Sequence, residues 1–164
     1  MRRVLLDALV RGVDPDTVYD SIIKFERYAE LAPHVQSAVV HQTEPEPTGR
    51  SSWDLRFRSG LLHWTEQERF LRDQLIVEFS QEDGDFDEFT GRWVLRAAGP
   101  DTEVHFEADF DFGIPSMESI LDPIAERVLR ETVAWTVTGM FDDVHLYDVR
   151  STSGEPGAAA VVGE

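Results

Sequence analysis

The chain has no cysteine, which removes thiolate nucleophiles, disulfide frameworks and cysteine metal sites and is compatible with a reducing compartment. It is also short of positive charge. Lys and Arg total 15 against 32 Asp and Glu, a formal net charge of −17 at pH 7. The basic residues are scattered rather than gathered into a stripe, so a phosphate backbone would be repelled and nucleic-acid binding is not expected. No apolar run approaches the ~20 residues of a membrane span. The start, Met1-Arg2-Arg3-Val4-Leu5-Leu6-Asp7, reaches a charge before a signal-peptide core can form, so the expectation is a cytoplasmic protein with no membrane span. There is no His-x-x-x-His pair, calcium loop, glycine-rich phosphate loop or Gly-x-Ser-x-Gly elbow. Metal, bound dinucleotide and serine acyl chemistry therefore have no support, and no cofactor is expected.

What is present is a run of alternating segments. Val4, Leu6, Ala8 and Val10 alternate with Arg3, Leu5, Asp7 and Leu9, the period of a strand with one core-facing side. Asp14-Pro15-Asp16-Thr17 carries an N-cap followed by a first-turn proline, and with Val18, Tyr19, Ile22, Ile23 and Phe25 it predicts a short amphipathic helix. A second short helix is expected over 26–32, stopped by Pro33. From Ser51 to Phe112 strand follows strand. Trp53, Leu55 and Phe57 share one face, then Leu62, Trp64, Glu66, Glu68 and Phe70, then Leu75, Val77 and Phe79, then Phe89, Gly91, Trp93 and Leu95. The last run sets Val104, Phe106, Ala108, Phe110 and Phe112 against His105, Glu107, Asp109 and Asp111, one face apolar and the other acidic.

Asp122-Pro123 repeats the cap signature and predicts a helix to about Tyr147, roughly 36 Å long at 1.5 Å per residue. The segment after Ser151 is Gly, Ala, Ser and Pro with little to bury, so the expected organisation is one ligand-binding domain over 1–149 and a disordered tail over 150–164. The fold class is α+β: a curved antiparallel sheet of about seven strands wrapped around one long C-terminal helix, with two short helices after the first strand. Large aromatics broken by Gly91 and Ala108 on the inner face fit either an apolar cavity or ordinary large-small packing.

This element order, with Val13-Asp14-Pro15-Asp16-Thr17-Val18-Tyr19-Asp20-Ser21-Ile22-Ile23, resembles the START-like helix-grip superfamily (SRPBCC). The strings Phe25-Glu26-Arg27-Tyr28-Ala29-Glu30-Leu31-Ala32-Pro33-His34-Val35 and His63-Trp64-Thr65-Glu66-Gln67-Glu68 are similar to its polyketide cyclase/dehydrase branch. The resemblance implies a pocket for a small hydrophobic ligand, and it spans aromatase/cyclases of antibiotic biosynthesis, quinone and lipid carriers, and interaction proteins. In aromatase/cyclases the fourth position after the central-strand tryptophan commonly carries an inward arginine. Here that position is Glu68, and Arg69 turns to the other face.

The expected catalytic residues are Glu66 and Glu68, which share a face with Trp64 and Phe70. Projected into an apolar space they would resist ionising and could exchange protons with a substrate. The alternatives are a solvent-exposed strand end, or ion pairs with Arg127 or Arg130. His34, in a loop by the expected mouth, is a third acid/base candidate. Expected ligand contacts are Tyr28, Trp53, Phe57, Trp64, Trp93, Phe110 and Arg130. The expected activity is cofactor-free cyclisation and dehydration of an aromatic or polyketide-like intermediate, a lyase-type reaction, with a carrier protein or a second copy as candidate partner. The alternative is a non-catalytic carrier of a quinone or lipid. A third reading has the acidic sheet face meeting a basic partner.

Overall fold

The computed structural model describes residues 1–147, so the tail expected after residue 150 lies outside the described residues. The first strand, β1 (Arg2–Val10), leads into helix α1 (Pro15–Ile22). Asp14 caps α1 as the sequence predicts, accepting from the Thr17 N–H at 3.1 Å. A 3-10 turn (Phe25–Arg27) and the one-turn helix α2 (Tyr28–Leu31) follow. A meander of β2 (Val35–Gln42), β3 (Thr48–Phe57), β4 (Gly60–Leu71), β5 (Ile76–Gly84), β6 (Glu88–Ala98) and β7 (Asp101–Asp111) comes next. The long helix α3 (Glu118–Met140) and a short β8 (Val144–Tyr147) complete the described chain.

All eight strands form one antiparallel sheet in the order β2-β3-β4-β5-β6-β7-β1-β8. Alternation decides which side chains face α3. On β1, Val4, Leu6, Ala8 and Val10 are buried, and on β7, Val104, Phe106, Ala108 and Phe110 are buried while His105, Glu107, Asp109 and Asp111 lie on the outer face. Gly91 is required by this packing: a Cβ there would stand 2.5 Å from the Phe79 ring and against the Glu107 carbonyl of the neighbouring strand. Arg72, in the β4–β5 turn, lies 4.4 Å over the Tyr19 ring and pairs with Asp20 and Glu44, tying α1 to the β2–β3 loop.

Two expectations need correcting at α3. The helix begins at Glu118, not Asp122, and Pro123 sits inside it. Its missing N–H takes one helical partner from the carbonyl of exposed Ser119, which water can reach. The helix also stops at Met140 rather than running to Tyr147. Beyond it, Phe141 is extended, and Val144–Tyr147 pairs with β1 to supply an eighth strand. Its Leu146 is buried, so the short strand closes the core as well as the sheet edge. The buried face of α3 is narrower in side-chain size than Ile124, Trp135 and Met140 suggest. It is built from Ala125, Val128, Leu129, Thr132, Val133, Thr136 and Val137.

Candidate functional site

The site forms where β3 and β4 pair. Trp53 lies opposite Trp64, and Ser51 opposite Glu66, so four inward side chains from two strands converge. The two indoles stack at 6.0 Å between centroids and 8° between planes. Each N–H points at a polar group below the rings. Trp64 Nε1 donates to Glu66 Oε1 at 2.9 Å, and Trp53 Nε1 donates to Ser51 Oγ at 2.8 Å, which in turn donates to Glu68 Oε2 at 2.6 Å. Glu66 and Glu68 stand two residues apart on the same face of β4 and each perturbs the ionisation of the other.

Both carboxyls are buried, with 5% and 1% of their surface exposed, so neither lies at a solvated strand end. Neither pairs with an arginine: among the described residues Arg130 pairs with Glu126 and Arg127 is exposed. Burial therefore pushes the Glu66 carboxyl well above the usual carboxylate range, and the hydrogen bond and charge of Glu68 push it further, against the Trp64 donor. Glu68 is also raised by burial, opposed by hydrogen bonds from Glu66 and Ser51. The pair titrates as one unit, shifted toward holding a proton. Glu68 Oε1 keeps no donor of its own within the protein.

Glu66 opens onto an internal cavity of about 50 Å³. Trp53, Trp64, Trp93, Phe79, Phe89 and Phe106 line it from the sheet, Phe25 and Tyr28 from the segment after α1, and Leu129, Thr132 and Val133 from α3. At the ~10–15 Å³ of such space that one water needs, it has room for a few waters. A larger molecule enters only if lining side chains move. Those on the sheet are held in two-strand register, whereas Phe25 and Tyr28 ride on a 3-10 turn and a single helical turn. A hollow of about 600 Å³ on the outer sheet face is bigger but open, and its charges neutralise one another in pairs, Arg69 with Glu78 and Arg92 with Glu107. We place the functional site at the inner cavity, where polar groups converge in an apolar space.

Of the expected site residues, the structure brings Glu66, Tyr28, Trp53, Trp64 and Trp93 to the cavity; Glu68 does not line it but lies opposite Gly49 of β3, beside the hollow on the outer sheet face. Tyr28 points its hydroxyl back to the Ile22 carbonyl at 2.7 Å, and burial raises its pKa well above the usual phenol value. The others lie elsewhere. His34 bonds Glu131 of α3 at 2.9 Å and packs on Trp135, fastening the α2–β2 loop to the helix. Phe57 and Phe110 do not line the cavity but pack with Phe112 in an aromatic group that Phe86 joins to Trp64 and Phe89, and Arg130 sits with Glu126 and Arg2 between α3 and β1. Sequence reasoning missed Ser51, although it shares the alternating inner face of Trp53 and Leu55. It also missed Phe86, whose ring packs on Trp64 from what reads as a polar hairpin turn. Among the described residues no group of three or more His, Asp or Glu could hold a metal ion, and no helix is long and apolar enough to cross a membrane.

Residues 12–135 match the family described as polyketide cyclase/dehydrase and lipid transport. Similar solved structures include a Thermus thermophilus protein at TM-score 0.75 and 24% identity, covering 85% of this chain and 94% of that one. The Zhui aromatase/cyclase of a Streptomyces species has TM-score 0.72 and 13% identity, covering 83% and 91%. A START superfamily protein of Mycobacterium smegmatis has TM-score 0.72 and 15% identity, covering 85% and 97%. No curated protein matches the sequence.

Proposed function

Because this chain belongs to the polyketide cyclase/dehydrase and lipid transport family, we propose that it binds a hydrophobic aromatic or polyketide-like molecule in the inner cavity. There it promotes cyclisation and dehydration without a cofactor. The observation that carries this reading is the buried Glu66–Glu68 pair, raised in pKa and set among three buried tryptophans. A carboxyl that stays protonated near neutral pH can return a proton to a departing hydroxyl, and its partner carboxylate can take one alpha to a carbonyl. The aromatic walls hold a flat chain in a folded, reactive shape and exclude water. In this reading the protein works in the cytoplasm as a lyase of antibiotic-type biosynthesis, with its intermediate delivered by a carrier protein or shared with a second copy.

Glu66→Gln and Glu68→Gln keep side-chain shape but remove the mobile proton. Each should keep the fold and ligand binding while lowering turnover of a polyketide-like substrate by ~10²–10⁴. A quinone or lipid carrier is the second reading, favoured by the transport half of the family description and by a cavity whose walls are almost wholly apolar. A carrier tolerates both substitutions. Full activity of both variants on the true substrate would exclude the acid/base mechanism.

A further inference from the structure

The walls of the inner cavity differ in how firmly they are held. Space for a few waters cannot take an aromatic ring, so a ligand reaches Glu66 only after one wall gives way. The sheet walls are fixed by ladder pairing, Trp53 against Trp64 and Trp93 against both Val77 and Phe106. At the hairpin end Phe86 stacks on Phe89 at 4.7 Å and on Phe112 at 5.1 Å, so interlocked rings stand between the cavity and water. The segment over 25–34 is built differently. It is one layer deep, with Phe25 and Tyr28 on the cavity side and Glu26, Ala29 and Glu30 exposed. Lys24 before it and Ala32 near its end both leave the helical conformation, which gives it two hinge points. The Tyr28 hydroxyl bonds the Ile22 carbonyl just upstream and not the sheet. Short elements of this kind open locally at lower cost than core strands.

We infer that the segment over 25–34 is the gate by which the ligand enters, lifting away from α3, and that Leu31 and His34 are its latch on that helix. This rests on the proposed placement of the ligand in the inner cavity. Leu31 lies against Gly139, where a Cβ would stand 3.0 Å from Leu31 Cδ2. His34 Nε2 is 2.9 Å from Glu131 Oε1, and its ring packs on Trp135 with centroids 4.8 Å apart. Glu131, Trp135 and Gly139 follow at intervals of four, so the three contacts run in one line along α3. Neither latch residue lines the cavity, and both therefore govern passage without touching the ligand. On its other side the segment is held to β3, where Arg56 donates to the Pro33 and His34 carbonyls, each at 2.7 Å. That attachment leaves a pivot while the α3 side opens. Phe25 and Tyr28, 5.6 Å apart in edge contact, move together and give up their edge contacts with Trp53, which frees its indole for a ligand ring.

Because the chain has no cysteine, one engineered disulfide can lock this seam without competing thiols. A Cβ at Gly139 would lie 3.6 Å from the Leu31 Cβ, within the ~3.5–4.5 Å that a disulfide spans. The neutral probe N-phenyl-1-naphthylamine, which fluoresces in apolar surroundings, is mixed with the whole chain in a stopped-flow instrument. In the Leu31→Cys, Gly139→Cys double variant, oxidation should slow both association and dissociation by roughly tenfold or more, and dithiothreitol should restore them. Glu131→Ala should speed both by about two- to fivefold, the worth of a partly exposed pair, with little change in Kd because the latch closes again behind the ligand. Equal rates in the oxidised and reduced forms leave an internal site standing but overturn the gate. Should the double variant fail to fold, Glu131→Ala decides alone, and unchanged or slower rates overturn the inference. Failure of the probe to bind the wild-type chain overturns the internal site and the inference together.

Discussion

Replacing Glu66 by Gln should make the protein more stable at neutral pH, although it removes a hydrogen-bonded residue from the core. In the unfolded chain Glu66 ionises near the ordinary value of ~4.3, while in the folded state burial and Glu68 hold it well above that. Between those two values the folded state keeps a proton that the unfolded state has lost, so unfolding gains as pH rises. For one proton the slope approaches about 1.4 kcal/mol per pH unit until the folded carboxyl also ionises. Glu68 shifts in the same direction and shares the proton, so its own contribution persists in the variant. Asp14, Glu82 and Glu107 have lowered values and act with the opposite sign, stabilising as pH rises and losing that stability as pH falls. They are common to both proteins and cancel in the difference. Urea unfolding of wild type and Glu66→Gln at intervals from about pH 4 to 8 gives that difference directly. It should be smallest at the acid end and grow in favour of the variant. Parallel curves across the range would mean that Glu66 ionises as freely in the folded protein as in the unfolded one, and the buried-pair account would fall.

Ser51→Ala removes the hydroxyl joining Trp53 to Glu68 and should cost about 1–3 kcal/mol in denaturant unfolding, since it orphans one buried donor and one acceptor. In a turnover assay its basic limb should move to higher pH, because Glu68 loses a bond that favours its charged form. Gly91→Ala should destabilise by about 3 kcal/mol or more, with circular dichroism reporting the loss of fold on heating, because the new Cβ meets the β7 backbone as well as the Phe79 ring. His105 is partly buried, which opposes its protonation, but hydrogen bonds to Asp7 and Glu107 outweigh burial and raise its pKa. Its contribution is present below ~6.5 and lost as pH rises through the folded value. His105→Gln should therefore destabilise measurably at about pH 6 and much less at about pH 9 in melting experiments.

The strands and their inner faces were legible because period-two alternation survives wherever one side of a sheet is buried, and that same alternation set Glu66 and Glu68 beside Trp64. What the two carboxyls do to each other was not legible. Cα positions two apart on a strand predict about 7 Å, and only the side-chain rotamers bring the pair close enough for each to perturb the other's ionisation. Ser51 was missed because a serine between Arg50 and Ser52 looks like strand-edge polarity until β3 is paired with β4. Phe86 was hidden among Asp83, Asp85 and Asp87, where local composition says turn while its ring is 4% exposed. The misplaced start of α3 has the same origin: Asp122-Pro123 satisfies a local capping rule, but the burial of Ala125, Val128 and Leu129 is compatible with a helix already under way at Glu118.

The position of β1 in the sheet sets an order on folding. Its two neighbours are β7 and β8, with Val4 paired to Ala108 and Val10 to both Thr102 and Val144. The meander from β2 to β7 is joined by short hairpins and closes its contacts locally, whereas β1, made before the meander, pairs with a strand about a hundred residues later. Until those arrive, Val4, Leu6, Ala8 and Val10 have no sheet to join. Closing such long loops is entropically slow. The nascent chain is thus expected to form the meander first and zip the N-terminal strand in last, so that β8, only four residues long, completes the fold by covering an edge that exists only after β1 has docked.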